Sequence, residues 1–274
     1  MKNLLVRASI CLLAIVGTHL STAAQLDNTW DQGPKLYCGT DTTGFQGENG
    51  QLAVARTSGA SIVGTVQIFN LDVPLNGITF GKFSLWAGQP ETIGSVVGDT
   101  LRKVSVSTPP AVLNTVQPGS ASFSAACCNE QMTLFKGKLY HAHYNDAIQQ
   151  LAIDASGNSE VAQTYPQTDV VGMASDGSKI WISKWSEKQV GTWDPSTNVF
   201  TPVFSTSADA GALAWDVKSG VLWVGMLGGS IVPYNATGTQ LGSGFQPFGS
   251  ISGTIDGMAF VPARPSAGAA VKLQ

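Results

Sequence analysis

Two histidines stand two residues apart in "YHAHYND", residues 140–146, and oxygen-bearing side chains recur ahead of several apolar runs. In a strand, His141 and His143 point to the same side. That spacing suits a transition metal held by neutral imidazoles. It also suits a His143 that acts as acid or base on a substrate within reach, or two packed side chains. The oxygen set is Asn76, Glu130 (with Asn129), Asp169, Asp209 and Asp256. Converging carboxylates suit a hard cation such as Ca2+, which takes about six to eight oxygens. Glu130, Asp169, Asp209 and Asp256 are therefore the candidate ligands for Ca2+ or another divalent cation. A polar, sugar-like ligand suits the same set. Each of these side chains has a plainer role too, accepting backbone hydrogen bonds in its own turn. Trp185, in "ISKWSEK", is placed to stack on a sugar or peptide.

The remaining chemistry is sparse. The sequence has no G-x-S-x-G elbow, HExxH, CxxC or EF-hand loop, and "GGS" at 228–230 is too short for a phosphate loop. The adjacent pair Cys127-Cys128 reads either as two buried thiols or as a strained ring disulfide. A redox reaction with a quinone is the reading that the pair alone suggests.

A repeat supplies the elements that would position these groups. A small or basic residue, an apolar one, then Trp or Tyr recurs as "PKLY" (34–37), "FSLW" (83–86), "GKLY" (137–140), "SKIW" (178–181) and "GVLW" (220–223). The aromatic residues are 49, 54, 41 and 42 apart. A second signature precedes four of them: "GITF" (77–80), "QMTL" (131–134), "GMAS" (172–175) and "ALAW" (212–215). The interval fits a strand, a tight turn and the next strand. The first aromatic copy lacks this partner, and an orphan partner, "GMAF" (257–260), ends the series. The C-terminal strand is thus expected to complete the N-terminal unit, as in a closed β-propeller. Five blades follow, at 27–74, 75–120, 121–169, 170–209 and 210–252, with 253–262 completing the first. Six is the alternative, if "LDNTW" (26–30) is an inner strand. The oxygen set then rings the mouth of a central channel on the upper face, where the inner strands begin.

This pattern resembles the NHL, YVTN and gluconolactonase/regucalcin-like group of propellers, in which "DG[ILM]" commonly opens the inner strand and "LW" or "LY" marks the second. In the gluconolactonase-like enzymes the Asp of "DGM" binds a divalent metal, and Asp256 matches that motif. The ending "IDGMAFVP" looks like the last strand of secreted bacterial propellers with a C-terminal sorting tail.

Residues 1–24 read as a signal peptide: Lys2 and Arg7, an apolar run at 8–17, then small residues. Residues 25–262 are the propeller domain and 263–274 a disordered Pro- and Ala-rich tail. Beyond residue 24 the chain has 13 basic and 18 acidic residues, a net charge of −5. That gives no electrostatic attraction to nucleic acid, and no later segment is apolar enough to span a bilayer. The expected protein is secreted or periplasmic. It is read as a binding module for a small molecule, glycan or protein on its upper face. The alternative is a divalent-cation-dependent, lactonase-like hydrolase at the channel mouth.

Overall fold

The computed structural model describes residues 33–40, 50–71, 76–81, 92–97, 100–106, 109–116, 129–144, 147–153, 159–251 and 253–263. The segment 1–24, the 26–30 stretch on which a sixth blade depends, Trp86, Cys127, Cys128, Asn145 and Asp146 lie outside them, as does nearly all of the tail.

Every regular element among the described residues is a strand. β1 (Lys35–Thr40), β2 (Gln51–Ser58) and β3 (Ser61–Asn70) share the first sheet. The second holds β4 (Asn76–Gly81), β5 (Thr92–Val97), β6 (Thr100–Ser105) and β7 (Val112–Val116). β8 (Asn129–Phe135), β9 (Lys138–His143), β10 (Ala147–Ile153) and β11 (Ser159–Tyr165) make the third. The fourth is β12 (Val170–Ser175), β13 (Ile180–Lys184), β14 (Gln189–Asp194) and β15 (Val199–Ser205). The fifth is β16 (Ala210–Asp216), β17 (Val221–Met226) and β18 (Ile231–Tyr234). β19 (Gly257–Val261) then returns to the first sheet and pairs antiparallel with β1, Met258 opposite Cys38 and Ala259 opposite Tyr37.

The inner strands β4, β8, β12, β16 and β19 touch in a closed cycle. The architecture is a β-propeller closed by its last strand. Closure suits short, glycine-rich strands, because it leaves few sheet edges open. The fifth sheet has three strands, and the chain just beyond it covers its outer edge. Ile231 and Phe245 exchange backbone hydrogen bonds of 2.8 and 3.0 Å, and the Leu241 N–H donates to the Pro233 carbonyl.

Repeated aromatics fill the gaps between sheets. Tyr37 packs with Ile78 and Val104 of the second sheet, and Tyr140 with Met173 and Trp193 of the fourth. Trp181 packs with Leu213 and Leu222 of the fifth, and Trp223 with Leu36 and Met258 of the first. Aromatic rings favour such half-open pleated surfaces because they cover much apolar area at little entropic cost.

The second sheet departs from the sequence reading. "FSLW" was expected to form its second strand, but the strand that pairs with β4 is "TIGSVV", with Ser95 opposite Ile78 and Gly94 opposite Thr79. Gly94 therefore occupies the register position where the other four sheets carry Tyr or Trp. A β-branched run takes the pleat more readily than the flanking "AGQP". The gap beyond Gly94 meets the third sheet. By strand alternation, His141, His143 and Gln149 face that gap, since Tyr140, Ala142 and Ile148 face the fourth sheet.

Close approach of inner strands requires glycine at Gly172. A Cβ there would lie 2.2 Å from the Gly211 carbonyl oxygen and 2.7 Å from Ser183 Oγ. That hydroxyl itself bridges the gap, accepting from Gly172 N–H and donating to the Gly211 carbonyl, both at 2.7 Å. Gly172→Ala is expected to cost about 3 kcal/mol by overpacking. That should lower the melting temperature by roughly 6–12 °C, measurable by calorimetry.

Candidate functional site

The axis of the ring is held by one side chain. In the repeated inner-strand signature, the first position is Gly77, Gln131, Gly172, Ala212 or Gly257, and the second is Ile78, Met132, Met173, Leu213 or Met258. Gln131 is thus the one large residue in a column of small ones, and it is fully buried. The two hydrogens on its Nε2 are shared among the carbonyls of Ile78 (3.2 Å), Leu213 (2.6 Å) and Met258. Its Oε1 accepts from the N–H groups of Leu213 (2.6 Å) and Met173 (3.2 Å). All four partners hold the same register position on the other four inner strands. The small residues of the column leave the room that the side chain occupies. Buried backbone groups that point at the axis have no strand partner there, and Gln131 satisfies them. Sequence reasoning passed over this residue, although a lone large polar residue among Gly and Ala was the available signal.

Below Gln131 lies a cavity of about 80 Å³, bordered by Thr79, Thr133, Ser175, Trp215 and Phe260. Its volume matches about two or three waters.

The upper rim lies at the starts of the inner strands. Asp169 directly precedes β12 and adopts φ = 63°, a left-handed conformation that Asp tolerates. Its N–H donates to the Tyr144 carbonyl of the third sheet (2.6 Å), and its own carbonyl accepts from Trp185 N–H (3.0 Å). Its carboxylate accepts from Ser186 N–H and Oγ, both at 2.9 Å. Asp169 therefore ties the turn after β13 to the seam between the third and fourth sheets. Trp185 lies in that turn, half-buried beside the rim. Lys184, just before it, is buried, and its Nζ donates to the Thr168 carbonyl and lies 5.7 Å from the Phe200 ring centre. Burial lowers the Lys184 pKa, opposed by the charges of Glu187 and Asp169.

Asp209 precedes β16, and its carboxylate lies 3.5 Å from Lys188 Nζ, while its carbonyl accepts from Leu227 N–H. Asp256 precedes β19; its N–H donates to the Gly39 carbonyl, and its carbonyl accepts from Gly77 N–H, linking the first and second sheets. The backbones of Asn76 and Glu130 lie at the starts of β4 and β8, and their side chains lie outside the described residues. No three His, Cys, Asp or Glu side chains gather as a metal would need among the described residues.

The histidine pair is buried. His143 is 4 % exposed, and neither ring nitrogen meets a hydrogen-bond partner among the described residues. His141 is fully buried; burial, with His143 beside it, holds its pKa down to about 3, against a hydrogen bond with Gln149. Both rings are packed inside the sheet stack rather than exposed on its surface. Cys38, at the register position of His141 in the first sheet, is likewise buried, which pushes its thiol pKa well up.

No family model and no curated protein matches the sequence. Solved structures do resemble the fold. A chain of a nidogen/laminin complex is 11 % identical over 85 % of this chain and 100 % of its own, with a TM-score of 0.53. Myxococcus xanthus glutaminyl cyclase is 15 % identical over 69 % of this chain and 88 % of its own, with a TM-score of 0.45. At such identities the first likeness speaks for the β-propeller architecture alone.

Proposed function

We propose that this chain is a secreted β-propeller binding module whose ligand, a small molecule, glycan or protein, meets the upper rim around Trp185. One observation carries the reading: the rim carboxylates are committed to their own surroundings. Asp169 is held by Ser186, and Asp209 faces Lys188. Such contacts make a rigid, pre-shaped surface, which favours recognition by lowering the ordering cost of binding. The lactonase-like alternative needs at least three of Glu130, His143, Asp169, Asp209 and Asp256 to converge on one cation. His143 is buried, and the two aspartates already have partners. Residues 1–24 support export through their basic, apolar and small-residue order.

Trp185→Ala tests the reading. On glycan and protein arrays, the variant should lose about tenfold or more in affinity for whatever the parent chain binds, with melting unchanged. Calcium-dependent hydrolysis of a lactone panel, together with a melting temperature raised by millimolar Ca2+, would overturn it in favour of the enzyme.

A further inference from the structure

A second site lies between the third and fourth sheets. A groove of about 770 Å³ opens there, within the usual range for ligand sites. It is bordered by the β8–β9, β12–β13 and β14–β15 turns, which the alternation of antiparallel strands puts at the end opposite the upper rim. Lys136 and Lys138 line it from the third sheet and Lys179 from the fourth. All three are exposed, and none forms an ion pair with a described residue. The one carboxylate in the lining, Asp194, is bonded into its own turn by Ser196 N–H and Oγ, both at 2.8 Å, and these bonds, more than the nearby Lys136 charge, lower its pKa. Three lysines thus border one groove against a single carboxylate, in a chain whose overall charge is negative.

The turn at Lys136 adds an independent observation. Lys136 sits at φ = 49° and Gly137 at φ = 75°. Hairpin turns of this handedness favour Asn-Gly or Gly-Gly. The two-residue loop requires positive φ at both positions, so Lys136 stands where Asn or Gly is the usual residue, and a strained residue of this kind is one mark of a binding site. Its side chain lies over the Phe135 ring, 4.8 Å from the centre, at the edge of the groove.

The walls between the lysines carry hydroxyl and amide groups, including Ser178, Thr192, Gln163 and Thr201. The floor aromatics Tyr140, Tyr165 and Trp193 pack on one another with ring centres 5.0–6.2 Å apart, and almost none of their surface is free. A bound peptide would look for several exposed apolar anchors; the floor rings are closed, and Val199 is the one large exposed hydrophobic in the lining. Hydroxyl-rich walls with a cationic rim suit a ligand that is itself hydroxylated and anionic. We infer that this inter-sheet groove binds an acidic polysaccharide, its carboxylates on Lys136, Lys138 and Lys179 and its hydroxyls on the Ser/Thr/Gln walls.

The test is titration calorimetry of the mature chain with polygalacturonate, its fully methyl-esterified form and poly-glutamate. Polygalacturonate should bind, weaken with added salt, and lose about tenfold or more in affinity with Lys136→Gln/Lys179→Gln. Exposed lysines should change without altering the melting curve. Trp185→Ala should leave this binding intact, which separates the result from the fate of the upper-rim reading. Equal binding of the neutral ester, unchanged affinity in the double variant, no binding at all, or tighter binding of poly-glutamate would each overturn the assignment.

Discussion

Gln131→Leu is expected to destabilise the protein by about 4 kcal/mol or more. The substitution keeps the bulk and removes every polar atom that meets the axis. It leaves the N–H groups of Met173 and Leu213 and the carbonyls of Ile78, Leu213 and Met258 facing an apolar chain. Each buried group that loses its partner costs about 1–3 kcal/mol. The combined loss corresponds to a fall of roughly 8–16 °C in melting temperature. Gln131→Glu separates the hydrogen bonds from the shape. Its carboxyl would face carbonyl oxygens in a buried setting, so its folded pKa would rise above the unfolded value of about 4.3. Stability is then greatest below that value and is lost as pH rises above it. Urea unfolding at acidic and neutral pH should show the Glu variant recovering at acid pH and the Leu variant not. A Leu variant as stable as the parent would show that the axis does not depend on this side chain.

Mild acid should destabilise the protein through His141. Burial and the adjacent His143 lower its folded pKa to about 3, from an ordinary value of 6.5. A depressed pKa on a base means that the unfolded chain takes up the proton first. The stabilisation is therefore full above about pH 6.5 and is lost progressively as pH falls toward about 3. The loss amounts to a few kcal/mol across that window. His141→Leu should flatten the upper part of the curve in denaturant titrations between neutral pH and about pH 4.5. Asp176 acts in a lower window. Burial raises its pKa, but hydrogen bonds from Ser178, Trp181 and Lys179 outweigh this, so its net pKa is lowered and its contribution is lost only in stronger acid. An unchanged slope in the His141 variant would assign the mild-acid limb elsewhere.

The ring was legible in the sequence because its cause is local. Four of the five sheets place an aromatic in the wedge to a neighbour, and Tyr37, Tyr140, Trp181 and Trp223 mark those positions. The pairing of β1 with β19 was legible for the same reason, an unmatched signature at each end of the series. β5 was misplaced because Gly94 stands where the marker should be, and "FSLW" imitates it eleven residues before "TIGSVV" reaches its own apolar pair. The site was less legible. Asp169 and Asp209 can be placed on the rim from the strand starts. Whether a carboxylate points to a ligand or into its loop depends on backbone angles such as φ = 63° at Asp169, which composition does not encode. Gln131 was hidden because its hydrogen-bond partners lie on strands far apart in sequence, and spacing rules see only neighbours.

The β1–β19 pairing also governs the order of assembly. Cys38 waits for Met258, so a nascent chain carries an open inner edge on its first sheet until almost all of the ring has been synthesised. Contacts this distant in sequence slow folding. The central amide meets its last carbonyl partner, on Met258, at the same moment. Completion is therefore abrupt, and until then the unpaired edge of β1 is a template on which the last strand of a second molecule can settle, linking two copies by exchange.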